Sequence, residues 1–489
     1  MLETLDLYWD EVAAWMAVLN LGLMSVTIGW ALTIKREPMS ATAWCLLIFF
    51  LPFVGSLLFV LLGYQQVHRP MSRKARHKQN YRLRHAGARR DGASAEPALN
   101  GWESMADLAQ RCDHTRPSAG NAVTFYHDGA GAFDAKLAAV AAARHHIHLE
   151  YFIFQPDDLG RQFLEVLTAK AKQGVEVRLV YDAMGSHRLH RQMLRELRAA
   201  GGQCCSFLPL DPLRRRIQIN LRNHRKILVV DGQVAFTGGL NIGDEYLGKV
   251  ARFGYWRDTH LRVTGPLVAG LQRVFTEDWD FAAGEALEGE PYFPLPEPPD
   301  ANPPDAIACT AQVVQSGPDQ EVKAIREVFF AAILRARKRL WIASPYFVPD
   351  AALRDALLLA AYQGVDVRFL SQFHPDKWIP YFAARYYWAE VLEAGVKVYQ
   401  YTRGMMHAKV VMVDGEWATV GTANFDNRSM HLNFEVNCLF YSAAVTAELE
   451  AAFERDLEHS IQLDRTVYRH RPFAGRLIEN ACRLLSPVL

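Results

Sequence analysis

Two stretches of this chain nearly repeat one another. NHRKILVVDGQVAFTGGLN runs from Asn223 to Asn241, and MHAKVVMVDGEWATVGTAN runs from Met406 to Asn424. Each reads His-x-Lys, four residues, then Asp, and each reaches an Asn seventeen residues after its His; the two His are 183 residues apart. The surroundings are duplicated too. HHIHLEYFIF, GRQFLEVLTAKAKQ and GVEVRLVYD read as strand, helix and strand. KRLWIASPYFV, AALRDALLLAAYQ and GVDVRFLSQ repeat that order in the second half. So long a period is a domain duplication and not a solenoid. The predicted fold is α/β: two layered halves packed with pseudo-twofold symmetry.

Glu285 to Asp305, EALEGEPYFPLPEPPDANPPD, carries seven prolines and reads as a linker. The halves are then 101–284 and 306–489 within a chain of 489 residues.

Both motifs read as strands ended by Asp-Gly turns. Side chains two apart on a strand share a face, so His224 and Lys226 point one way, as do His407 and Lys409. Asp231 and Asp414 fall at an odd offset and are expected to serve the framework. Bringing the two faces together puts two His, two Lys, Asn241 and Asn424 around one cleft. That inventory suits a phosphodiester. One imidazole attacks phosphorus while the other protonates the departing alkoxide, and the cations and amides stabilise the oxyanions. Two fixed cations make a metal unnecessary, and no metal or cofactor is expected.

Val12 to Ile34 and Ala41 to Tyr64 are apolar and free of charge for 23 and 24 residues, each long enough to cross a bilayer. The first is a poor signal peptide, because Glu3, Asp6, Asp10 and Glu11 precede it in place of a basic segment. Pro52 and Gly55 are expected to kink the second. Trp15, Trp30, Trp44 and Tyr64 lie near the span ends. The formal charge of +1 conceals a basic collar: Arg69 to Arg90 holds nine Lys and Arg and no acid. These outweigh Lys35 and Arg36 in the connector, so residues 1–68 form a hairpin whose following basic segment, 69–100, and catalytic body face the cytoplasm. Basic charge concentrated here, on an otherwise acidic chain, argues for a membrane surface and against nucleic acid. Seven cysteines without metal spacing read as reduced thiols.

The paired HxKxxxxD motifs, "HRKILVVDG…GGLNIGDEY" and "HAKVVMVDG…VGTANFDNRS", resemble those of the phospholipase D superfamily. With two spans and a basic collar, and with "YWRDTH", "SPYFVPD" and "NFDNRSMHLNFEVN", the chain is similar to the bacterial cardiolipin synthases. The resemblance implies duplicated αβα sandwich domains and a cytoplasmic (inner) membrane location with multiple passes. It implies transfer of a phosphatidyl group from one phosphatidylglycerol to another, releasing glycerol, through a phosphohistidine. Phosphatidylethanolamine is a variant donor, and the oligomeric state stays open. The first-half His224 would be the nucleophile, with His407 the general acid and then base. An acid on a later strand orients each His; Glu435 reads as the partner of His407, and Asp258 as that of His224. A hydrolytic phospholipase D and a membrane-anchored nuclease share the motifs and are the competing readings.

Arg214, Arg215, Arg216, Arg222 and Arg225 precede or enter the first motif and are expected to hold lipid phosphates, with Ser429 and Arg428 lining the site. Asp244 and Glu245 read as helix-start residues. Lys377 to Leu392 reads as a core helix, with an acyl-chain entrance the alternative. The C-terminal GRLIENACRLLSPVL reads as an amphipathic helix facing the core.

Overall fold

The computed structural model describes residues 2–35, 38–60, 74–76, 78–79, 96–209, 220–296 and 303–489. Tyr64, Arg214, Arg215, Arg216 and most of the basic collar lie outside them. The chain divides into two compact units, Met1–Arg73 and Lys74–Leu489.

In the first unit one helix runs from Leu2 to Ile34, and its segment Ala14–Ile34, 21 residues, is long and apolar enough to cross a membrane. Val18, Leu19 and Val26 on it are 63, 61 and 70% exposed, which a soluble core helix would not be. The second apolar run is not one span-length helix. It divides into Pro38–Phe50 and Pro52–Leu58 at Leu51, whose φ of −132° and ψ of 67° leave the helical region. Pro52 causes the break: it has no N–H, and its ring disfavours helical torsions in the residue before it. A Cβ on Gly55 would lie 2.6 Å from the Leu47 carbonyl oxygen, so glycine permits the close approach at the bend. Ala31, Ile48 and Phe59 bury one another, with Trp30 and Trp44 edge-on to Phe59 at 5.8 and 5.4 Å.

The second unit contains two copies of one sheet. In the first half the strands are β1 (Ser118–Asp128), β2 (His146–Tyr151), β3 (Glu176–Asp182), β4 (Gln203–Phe207), β5 (Arg222–Asn223), β6 (Lys226–Val230), β7 (Val234–Gly238) and β8 (Tyr255–Thr264). Their order across the sheet is β4-β3-β2-β6-β7-β8-β1, parallel from β4 to β2 and antiparallel beyond. The second half has β9 (Ile307–Ser316), β10 (Arg339–Ala343), β11 (Phe347–Val348), β12 (Asp366–Gln372), β13 (Lys397–Tyr401), β14 (Gly404–Met406), β15 (Val410–Val413), β16 (Trp417–Gly421), β17 (Phe425–Asp426), β18 (Asn433–Phe440) and β19 (Ser460–Gln462). Its order, β13-β12-β10-β15-β16-β18-β9, has the same pattern of directions. β19 adds to the edge at β13. β1 pairs antiparallel with β9 and joins the copies into one continuous sheet.

Helices Gly129–Ala142 and Asp158–Lys172 cover one face of the first sheet through Phe133, Val140, Phe163 and Leu167. Ala324–Arg335, Ala351–Tyr362 and Trp378–Glu393 do the same in the second half. Between them lies a shared core in which Ile227 and Leu261 of the first half join Val313, Met412 and Val436 of the second. This is the layered α/β arrangement the strand-helix alternation predicts.

Several expectations change. The described part of the Pro-rich stretch, 285–296, has no helix or strand but is packed down: Arg178 donates to Glu285 at 2.8 Å, and Tyr292 Oη donates to Glu176 at 2.8 Å. Two residues of the basic collar do not serve a membrane surface. Lys74 pairs with Asp278 at 2.5 Å, and Lys78 lies 3.5 Å from Asp113, all four buried. The C-terminal helix, Phe473–Arg483, does not turn its apolar side to the core, because its charged residue Glu479 occupies the inward position.

Two short pairings between the halves place the site. β5 runs parallel to β18, aligning Asn223 with Phe434. β14 runs parallel to β8, aligning Met406 with Arg257. Each His therefore leaves its own half and enters beside a strand of the other.

Candidate active site

His224 lies between β5 and β6, not inside a strand, because the chain there changes partner from β18 to β2. Its N–H donates to the Phe434 carbonyl at 2.9 Å, and the His407 N–H donates to the Arg257 carbonyl at 2.7 Å. The next residue along each partner strand is an acid. His224 Nδ1 lies 3.0 Å from both carboxylate oxygens of Glu435. His407 Nδ1 lies 2.8 Å from Asp258 Oδ2. The expected partners are thus exchanged: Glu435 serves His224 and Asp258 serves His407. The interhalf pairings are the cause.

A carboxylate at Nδ1 holds the proton on that nitrogen and turns Nε2 toward substrate. Among the described residues neither Nε2 has a hydrogen-bond partner. Both His are 8% exposed, and each has an aromatic wall: Phe152 at 5.0 Å from the His224 ring and Trp256 at 5.3 Å from that of His407.

Lys226 Nζ donates to the His224 carbonyl at 2.6 Å, and Lys409 Nζ donates to that of His407 at 2.5 Å. An ammonium has three protons, so each lysine retains donors for an anion. Burial pushes Lys226 down to about 7, with Glu435 opposing the change, and Lys409 down to about 8, with Asp258 opposing it. Burial, then Lys226, Lys409 and His407, holds His224 well below the usual imidazole range. Burial, then Lys409, brings His407 to about 4. Four basic groups thus share a cleft with two carboxylates, and the free site resists full protonation. An incoming anion relieves that repulsion.

The carboxylates are not equivalent. Burial raises Glu435 to about 7, against Lys226 and hydrogen bonds from Thr422 at 2.5 Å and Asn433 at 3.0 Å. Burial also acts to raise Asp258, but Lys409 and His407 outweigh it and keep that pKa below the ordinary carboxylate value. A Cβ on Gly239 would lie 1.9 Å from Asp258 Oδ1, so the second glycine of the motif admits that carboxylate. Lys136, on Gly129–Ala142, is fully buried, and its Nζ has no hydrogen-bond partner among the described residues. It lies 4.7 Å from the centre of the Phe133 ring, and Asp258 is the carboxylate that acts on it. The sequence reading missed Lys136. A lone Lys within the apolar run KLAAVAAA was the available signal.

The remaining residues separate into framework and rim. Asp231 accepts from the successive backbone N–H groups of Arg144, His145 and His146 at 2.7, 2.8 and 2.9 Å. Asp414 accepts from Arg337, Lys338 and Arg339 at 2.9, 2.7 and 2.9 Å. Asn241 accepts from the Ile153 N–H at 3.1 Å and donates to Tyr246 Oη at 3.0 Å, so its carbonyl is committed to the framework. Asn424 Oδ1 is buried with no hydrogen-bond partner among the described residues, and Ser429 Oγ accepts from the Asn424 N–H at 3.1 Å. Arg222 is buried beside Asp182. Arg225 is not available to a lipid phosphate; it pairs with buried Asp278 and donates to Gln315 at 2.8 Å. Asp244 accepts from the first N–H groups of Asp158–Lys172 and heads its own short turn, Asp244–Leu247.

A duplicated layered sheet with one such His, Lys and acid set from each half defines a phospholipase D-like protein. The fold is shared with the phosphatidylserine synthase of Haemophilus influenzae, at a TM-score of 0.59 and 17% identity, covering 79% of this chain and all of that one. The family model described as cardiolipin synthase, PLD-like domain matches residues 137–279 and 329–457, and that described as phospholipase D-nuclease N-terminal matches 22–63. A cardiolipin synthase of Alkalihalophilus pseudofirmus is 42% identical over 93% of this chain and 90% of its own length. Those of Geobacillus thermodenitrificans and Geobacillus sp. strain WCH70 are 41% and 38% identical, over 93% and 99% of this chain and 90% and 95% of theirs. The chain belongs to the cardiolipin synthase family of phospholipase D-like proteins.

Proposed function

We propose that this protein is a cardiolipin synthase that exchanges one phosphodiester for another at a site shared by its two halves. The observation that carries the reading is the crossed pair His224–Glu435 and His407–Asp258 within family membership. His224 Nε2 attacks the phosphorus of a phosphatidylglycerol. The P–O bond to the headgroup glycerol breaks, and His407 Nε2 gives that oxygen its proton. The terminal hydroxyl of a second phosphatidylglycerol then returns a proton to His407. Its oxygen attacks phosphorus, and the P–N bond breaks to release cardiolipin.

Nucleophile and acid need opposite protonation states. The depressed His224 keeps a free lone pair at neutral pH. His407 receives its proton when the substrate's negative charge enters, and ionised Asp258 stabilises the imidazolium. Lys226, Lys409 and the Asn424 amide bear on the oxyanions of the transition state. Asp231 and Asp414 hold the framework, Asn241 positions the first motif, and Arg222 and Ser429 shape the rim. Arg214, Arg215 and Arg216 are proposed as lipid-phosphate contacts.

The same reading takes residues 1–68 as a hairpin that crosses twice, with 69–100 as a juxtamembrane segment, 101–284 and 306–489 as the catalytic domains, and 285–305 as the linker. It puts the catalytic body on the cytoplasmic side of the bacterial inner membrane, as the basic collar supports.

The test uses purified protein in vesicles of phosphatidylglycerol alone, with chelator present. Cardiolipin and glycerol appearing one to one are expected. Phosphatidic acid as the main product would make water the acceptor and overturn the transferase reading.

A further inference from the structure

The C-terminal helix, Phe473–Arg483, is built inside out. Its inward residue is Glu479, 2% exposed, whose carboxylate pairs with Arg385 at 2.7 Å and Arg471 at 3.3 Å. Arg483 completes that attachment with its guanidinium 4.3 Å from the Tyr386 ring centre. The apolar side chains point the other way. Phe473, Leu477 and Ile478 are 74, 60 and 49% exposed, and Leu484, just beyond the helix, is 74% exposed. Positions 473, 477, 481 and 484 recur at helical spacing and form one stripe. In water, a helix gains roughly 1.5–3 kcal/mol for each such side chain it turns inward. This helix spends its inward face on an ion pair instead.

The stripe adjoins the rim of the active site. Trp378–Glu393, the helix that supplies Arg385 and Tyr386, begins with Trp378 and Ile379, which are 61 and 46% exposed. The exposed Lys377 immediately before them bears electrostatically on His224. On the other side, the Arg428 N–H donates to the Leu489 carbonyl at 2.6 Å, and its guanidinium donates to that of Val488 at 3.1 Å. Arg428 is four residues beyond Asn424, so the chain end and the site are tied together.

We propose that this surface, carried by Phe473, Leu477, Leu484 and Trp378, docks in the headgroup layer of an anionic phospholipid bilayer, so that the site opens directly onto its lipid. It rests on the transferase reading for the identity of the lipid. Exposed Lys377 and Arg476 border the apolar stripe, a combination that suits acyl chains below and phosphates around. A second copy is the poorer occupant, since a twofold contact would set those same cations against each other.

The test incorporates a photo-crosslinking phenylalanine at Leu477 of the full chain in phosphatidylglycerol vesicles. Tyr362, 71% exposed at the end of Ala351–Tyr362, is the control. Lipid adducts, read by mass spectrometry, are expected to be roughly tenfold more abundant at 477. Adducts no more frequent than at 362, or a crosslinked dimer in their place, overturn the proposal. Capture needs no turnover, so its failure is separable from failure of the transferase reading. Leu477→Asp is expected to raise KM on vesicles about tenfold with kcat near wild type. A fall in kcat with KM unchanged would make the residue structural and overturn the assignment.

Discussion

Glu435 and His224 are 211 residues apart and belong to opposite halves of the repeat, yet the two carboxylate oxygens straddle the imidazole Nδ1 at 3.0 Å each. Asp258 and His407 make the reciprocal contact at 2.8 Å. Neither half holds a complete His and acid pair, so the two halves must be assembled before either imidazole is oriented.

The two acids differ in charge, and their amide variants should differ in consequence. Asp258 is held ionised, so Asp258→Asn removes a carboxylate that stabilises imidazolium and is expected to lower kcat by about 10²–10⁴-fold. Glu435, near 7, already spends much of its time protonated at neutral pH, and Glu435→Gln is expected to cost only about tenfold. Steady-state cardiolipin formation at neutral pH checks the order of the two.

Anion binding should draw protons into the site. Lys226 near 7 and His407 near 4 are low because burial and mutual repulsion disfavour their charged forms. A phosphodiester anion raises both, so protons are taken up on binding near pH 7 and above. Calorimetry of a non-hydrolysable phosphodiester in buffers of different ionisation enthalpy measures this, and zero or negative uptake would contradict it.

Lys136→Met should separate stability from catalysis. The substitution removes a buried ammonium with no hydrogen-bond partner among the described residues and keeps its volume, so the unfolding temperature is expected to rise by several degrees, about 2–4 °C per kcal/mol. Losing that cation raises the Asp258 pKa, so the acidic limb of the kcat profile moves to higher pH. An unchanged limb would show that Lys136 does not act through Asp258.

Asp414→Ala should act on folding alone. It removes a carboxylate that accepts three backbone N–H groups and places alanine at φ 55°. The expected cost is roughly 2–4 kcal/mol, read as a lower unfolding temperature, with activity per folded molecule retained. Loss of turnover without loss of stability would move Asp414 from the framework into the chemistry.

Much of this site was legible in the sequence, for an identifiable reason. The His-x-Lys pairs and their Asp-Gly turns are local, set by strand period and turn torsions, and a motif that occurs twice reports its own importance. The break at Pro52 was readable too, because proline acts on its own neighbours. What failed were assignments that depend on partners distant in sequence. Arg225 resembles a phosphate ligand until Asp278 is found beside it. Lys74 and Lys78 resemble membrane-surface cations until Asp278 and Asp113 are seen to hold them. The amphipathic C-terminal helix has the same sequence whichever side faces outward, and only the Glu479–Arg385 pair decides the direction.

The sequence alone determined the duplication, the chemical inventory and the apolar N-terminal segment, since each depends on spacing or composition along the chain. Tertiary structure alone decided which acid serves which His. The parallel pairings of β5 with β18 and of β14 with β8 form between strands about 210 and about 150 residues apart in sequence, and nothing local encodes them. Those two pairings turn a repeated motif into a single site, because each aligns an imidazole from one half with a carboxylate of the other.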